Sequence, residues 1–206
     1  MLILVEKSEK KMIAVGLANA QAAHRNGWCH ATVLAVPVLI GTSPAKILLY
    51  TRGVNRRSCP DMFDFAAQGH IDYNFELGPF DLEDLVLHNA IREAQEELRP
   101  DRPYEFRPGD FRRFGEYGEW THTSSTNVEM STMHFIRLPN DRIWWVGDSN
   151  QDFVQPETLS FPELMDRFKS APEKFADGAS RVLLRLSQDS QLRRDFEAVL
   201  AELAQI

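Results

Sequence analysis

Residues 78–100 read GPFDLEDLVLHNAIREAQEELRP, and the rest of the chain is understood from them. A helical residue advances by about 100°. Glu93 and Glu97 therefore stack one turn apart with Glu96 beside them, and Arg92 and Glu96 are also i,i+4 neighbours. Leu87, Ile91, Ala94 and Leu98 point roughly the other way. One side of this helix can enter a core while three carboxylates crowd the other. Crowded carboxylates repel, so the pattern suits a hard divalent cation better than a free helix. Asp81 is the expected N-cap. Arg99-Pro100 is the expected end, because proline disfavours helical geometry in the residue before it.

Upstream, residues 2–5 (LILV) predict a short strand, and the alanines of 11–26 predict a helix ending near Gly27. CHATVLAVPVLIG predicts a buried strand with Pro37 marking a bulge or strand end. KILLYTRG follows as a strand expected to pair with it as a hairpin. Residues 53–62 read as a loop, and in FDFAAQGHIDY Gly69 offers a close backbone approach. Downstream, 101–126 reads as irregular with a strand around 111–117. NVEMSTMHFIRL and RIWWVG read as a hairpin, in which Trp144-Trp145 belong to the core and its edge. Residues 148–160 read as loop. FPELMDRFKS, opened by Pro162, is a short helix. Two more helices are expected over 173–187 and 190–205, the last with a stripe of Leu192, Phe196, Val199, Leu200 and Leu203. This order predicts an α/β (α+β) fold, a mixed sheet with helices packed against it.

The 206 residues carry 30 acidic and 23 basic side chains, a net charge of −7, which argues against a nucleic-acid polymer as partner. Phosphorylated small molecules stay open, because a bound metal can reverse the local field. The two cysteines, Cys29 and Cys59, make neither a disulfide framework nor a zinc spacing. No apolar run approaches about 18 residues and the N-terminus has no signal-peptide pattern, so no membrane and a cytoplasmic location are expected.

The opening stretch resembles the Nudix box: a glycine, five residues, a glutamate, seven residues, then Arg-Glu-hydrophobic-x-Glu-Glu-x-Gly-hydrophobic. Gly78, Arg92, Glu93, Glu96 and Glu97 match, and Ala94 is acceptable at its position. Asp84 stands for the first glutamate, and Arg99 and Pro100 replace the last glycine and hydrophobic residue. The flanks AHRNGWCHATVLAVPV, ILLYTRG and CPDMFDFAAQGHID resemble the branch that includes isopentenyl diphosphate isomerase. The resemblance covers roughly 20–165. It implies a single Nudix-like domain with a helical extension over about 166–206, its sheet sandwiched between helices.

It also implies a hydrolase cleaving the diphosphate bond of a small molecule, a nucleoside diphosphate linked to another moiety or a related organic diphosphate. Mg²⁺ or Mn²⁺ would be held by Glu93, Glu96 and Glu97 and a backbone carbonyl near Gly69, with Arg92 orienting a carboxylate. One of these glutamates, Glu129, Asp152 or Glu157 would be the general base. Arg52, His70 and Glu129 are candidates for substrate contact, while Arg56 and Arg57 read as a solvated loop. Two alternatives accompany this reading. An isomerase-like enzyme is suggested by His24, His30, His70 and Glu129, which fall at broadly matching places to that relative's metal ligands. Against it, Gln68 stands where the isomerase has its cysteine, and an amide cannot do a thiol's acid-base chemistry. Taken singly, His24 and His30 read as structural, as does His88, and His122 and His134 have no metal spacing. A non-catalytic Nudix-fold binding protein is suggested by the altered end of the box. The C-terminal helices are expected to cover the core or to pair subunits in a homodimer.

Overall fold

A computed structural model describes residues 1–8, 11–56, 58–73, 81–116, 118–123, 127–147 and 153–205. Gly78 and Pro79 of the box, Arg57 and Asp152 lie outside the described residues.

Strands β1 (Leu2–Ser8) and β2 (Lys11–Ala18) form an antiparallel hairpin, so the helix expected over 11–26 is half strand. The β-branched Ile13 and Val15 and the interior Gly16 favour extended backbone over helix. Only Ala20–Asn26 is helical (α1), capped by the Asn19 side chain at its start and by Gly27, at φ 62, at its end.

The axis of the fold is β3 (Cys29–Ile40). Strand β10 (Val128–Pro139) runs parallel to it along its full length, with Cys29 paired to Val128 and Ile40 to Pro139. On its other side β3 meets β1 at His30, β6 (Gly69–His70) at Thr32 and Val33, and β4 (Lys46–Thr51) at Val38 and Leu39. Pro37 neither bulges nor ends the strand. It falls between the β6 and β4 pairings, where its missing N–H costs no ladder bond on that side.

Strand β5 (Phe63–Asp64) adds to β4, which also pairs with β12 (Glu157–Leu159), a strand inside a region expected to be loop. Strands β8 (Phe111–Phe114) and β9 (Trp120–Thr123) both pair with β10, the second of them unexpected from the sequence. With both its sides occupied, β10 has no edge for a hairpin partner. Strand β11 (Trp144–Val146) instead pairs with β7 (Leu98–Pro100), the residues that follow the acidic helix. The substituted end of the box is thus a strand of a second, two-stranded sheet.

Alternate residues of β3 face opposite layers. Val33 and Ala35 pack on Ala90 and Ala94 of the acidic helix α2 (Leu82–Glu97), whose N-cap Asp81 accepts from the Glu83 N–H at 2.8 Å. Leu34, Val36 and Val38 pack against α3 (Phe161–Ser170), α4 (Asp177–Gln188) and α5 (Ser190–Leu203) through Leu164, Leu183, Phe196 and their neighbours. The C-terminal helices form one of the two layers that enclose the sheet. Among the described residues no helix is long and apolar enough to cross a membrane.

Candidate metal centre and anion pocket

The acidic face of α2 meets the chain just before and within β6. Glu93 is 8% exposed, and its carboxylate fills the space that a Cβ on Gly69 would occupy. Glu97 accepts the Ala67 N–H at 2.7 Å, and Ala67 holds φ 61, a conformation that non-glycine residues rarely adopt and that recurs at functional sites. Burial pushes the Glu97 carboxyl up to about 8; the Ala67 hydrogen bond opposes this and the Glu93 charge adds to it. Glu93 is also raised, by burial first, with the Arg92 charge working against it.

Arg92 ties these groups together. Its guanidinium reaches Glu93, Glu96 at 3.1 Å and the His70 carbonyl at 3.3 Å. Asn89, which no sequence pattern singled out, accepts from Arg92 at 3.3 Å and exchanges hydrogen bonds with the Asp72 backbone. It locks α2 to the residues after β6. Glu96 is exposed and faces Arg92, and Asp84 lies exposed in the first turn. Glu157 engages Arg167 of α3 at 2.6 Å instead of facing this site.

Gly69 and His70 point to opposite faces of the sheet, because strand residues alternate. His70 faces the layer of His30 and Thr32 and joins His24 of α1. The ring centroids of the three histidines stand 5.0–5.4 Å apart. One ring nitrogen from each lies within 4.8 Å of the other two, and among the described residues this is the only such group of three metal-ligating side chains. Glu93, Glu96 and Glu97 do not draw together in that way. The Nε2 atom of each histidine is buried with no hydrogen-bond partner. His30 Nδ1 lies 3.0 Å from the Trp28 carbonyl, an arrangement that assigns the proton to Nδ1 and leaves the Nε2 lone pair free. Burial holds His30 and His70 below the ordinary histidine range, which keeps both rings neutral. Orphaned, convergent imidazoles fit a divalent metal.

His24 and His30, each read singly from the sequence as a solvated or satisfied structural residue, instead cluster with His70. Their six-residue separation carries no pattern by itself, because α1, β3 and β6 bring them together only in the fold. Glu129 stands in register with His30 across the β3–β10 pair. Burial would raise its pKa, but the Asn127 amide at 2.7 Å and the Arg181 charge lower it.

A pocket of about 270 Å³ opens beside this cluster, lined by Arg52, Cys59, Gln68, His70, Glu129 and Arg181 among others. The three candidate substrate contacts, Arg52, His70 and Glu129, share it. Arg52 donates to the buried Asp64 at 2.7 Å, and Gln68 donates to Asp64 and to the Phe65 carbonyl, each at 2.8 Å. His122 also lines the pocket, in register with Glu129.

No protein-family model and no curated protein sequence matches the chain. Solved structures do. A NUDIX hydrolase from Alicyclobacillus acidocaldarius superposes with a TM-score of 0.53 at 14% identity, over 74% of this chain and 88% of that one. The Deinococcus radiodurans protein DR0079 superposes with a TM-score of 0.51 at 18% identity, over 89% of this chain and 97% of that one. At these identities the likeness is one of architecture: the chain has a Nudix-type fold, a mixed sheet between helical layers.

Proposed function

We propose that this protein is a divalent-metal-dependent hydrolase that cleaves the diphosphate bond of a small organic diphosphate, such as a nucleoside diphosphate linked to another moiety. One observation supports the reading above all. At Gly69-His70 the acidic helix and the three histidines converge from opposite faces of the sheet, beside a pocket that holds Arg52 and Glu129. Glu93, Glu97 and the Gly69 carbonyl would hold Mg²⁺ or Mn²⁺, with Glu96 turned to Arg92 beside them, whereas the nitrogen set of His24, His30 and His70 suits Mn²⁺ through Zn²⁺. A bound ion supplies charge neutralisation at phosphate oxygens and a more acidic water.

The chain's own residues do the remaining work. Arg92 holds the Glu93 and Glu96 carboxylates in place and fixes them to the His70 backbone. Asp64 anchors the Arg52 guanidinium at the pocket wall, where it can meet an anionic oxygen. Glu129, kept ionised by Asn127 and Arg181 against the cost of burial, is suited to accept a proton from water in the pocket. The test is chromatographic detection of the cleaved phosphate products of nucleoside diphosphate conjugates, dinucleotides and prenyl diphosphates under Mg²⁺ or Mn²⁺ titration. Metal-dependent turnover of at least one class is expected; none on any class would sink the reading.

A second reading, an isomerase acting on a prenyl diphosphate, is favoured by the clustering of His24, His30 and His70 near Glu129 and by Cys59 in the same pocket. Gln68 opposes it, since its amide is tied to Asp64 and Phe65 and offers no transferable proton. In the same assay, an isomerised diphosphate without cleaved products would select this second reading.

A further inference from the structure

Two guanidinium groups line the pocket. Arg52 comes from the end of β4 and its following turn, and Arg181 from α4 in the C-terminal layer. Each is anchored by a carboxylate, Arg52 by Asp64 at 2.7 Å and Arg181 by Glu129 at 3.2 Å. Arg181 is held a second time, with Nε donating to the Asp177 carbonyl at 3.2 Å. Each also keeps one buried nitrogen without a hydrogen-bond partner, Nε of Arg52 and Nη1 of Arg181. Buried charged donors left unpaired are costly, and both of these belong to side chains that line one pocket, where a small shift of either side chain would give them an acceptor from outside the chain.

The placement of α4 is equally constrained. Gly178 lets the Gln68 side chain lie against the helix, and a Cβ there would overlap the Gln68 amide. Gln68 is itself fixed by Asp64, the anchor of Arg52. One continuous set of contacts thus sets both guanidinium groups relative to the same pocket. A planar fork pinned at two of its nitrogens, with the third free, is pre-organised for one further oxygen.

We propose that Arg181 is a substrate-binding residue, contributed by the C-terminal helices, that bonds an anionic oxygen of the diphosphate group together with Arg52. The inference rests on the diphosphate reading above and makes the C-terminal layer part of the site. Arg185, one turn further along α4, is a natural control. It pairs with Glu119 and stacks on Trp120, outside this pocket.

The experiment is calorimetric titration of methylenediphosphonate, a non-hydrolysable diphosphate, into the full chain with Mn²⁺ present. Wild type is expected to bind, R181M to bind about 10- to 100-fold more weakly, and R185M to bind like wild type. Where circular dichroism shows R181M unfolded, R181K takes its place. A single ammonium cannot serve Glu129, the Asp177 carbonyl and the ligand together, so about a tenfold loss is expected. Wild-type affinity in the Arg181 variant, or an equal loss in R185M, overturns the assignment and leaves the diphosphate reading standing. No binding by wild type overturns both.

Discussion

The Glu93 carboxylate occupies the space that a side chain at residue 69 would need. Gly69 cannot retreat, because it is paired with Val33 in the sheet, and Glu93 cannot, because Arg92 and the buried face of α2 hold it. Gly69→Ala should therefore lower stability by about 1–3 kcal/mol, as overpacking does. Glu93→Ala in the Gly69→Ala background should recover most of that loss without restoring any activity. A thermal-unfolding double-mutant cycle measures this coupling. Simple additivity would show that the two residues are not in steric opposition.

Glu97 makes a prediction about pH. Its carboxyl is pushed from an ordinary 4.5 to about 8 by burial, so the folded chain keeps a proton that the unfolded chain loses. The stability this contributes is fully present below about pH 4.5 and is lost as pH rises through about 8. In metal-free protein the fall across that window should be on the order of a few kcal/mol, since each pKa unit is worth about 1.4 kcal/mol. Glu97→Gln should flatten this fall and be the more stable protein at pH 8. Unfolding curves in EDTA from pH 5 to 8.5 decide it; parallel curves for the two proteins would contradict the assignment.

The histidine cluster should bind Co²⁺ with visible d–d absorption. His24→Ala should weaken binding by more than the roughly 10- to 100-fold typical of losing an outer-shell partner. Because burial holds His30 and His70 below the ordinary range, binding should persist near pH 6, where an ordinary histidine is largely protonated. Absorption unchanged in His24→Ala would remove that residue from the site.

The acidic helix was legible because its information is local. Spacing alone places Glu93 and Glu97 on one face, and Asp81 and Pro100 bracket the element. The strand character of 11–18 was hidden by alanines whose helix preference lost to Ile13, Val15 and the pairing with β1. The partners of β10 and β11 were invisible for a different reason. Short separation in sequence suggests a hairpin, but β10 is filled on both sides by β3, β8 and β9, a long-range outcome. The same holds for the site. His24, His30 and His70 come from three elements, and Arg181 reaches the pocket from a helix whose sequence reads only as amphipathic.

The central claim is that a metal-assisted diphosphate cleavage uses the face of α2 that meets Ala67 and Gly69. Its most direct test is turnover of the best substrate by wild type and Glu97→Gln under Mg²⁺ and Mn²⁺ titration, with the fold of both checked by circular dichroism. The account predicts metal-dependent turnover in wild type and a loss of at least about 100-fold in Glu97→Gln. Turnover that ignores added metal and chelator, or that survives in Glu97→Gln, would contradict it.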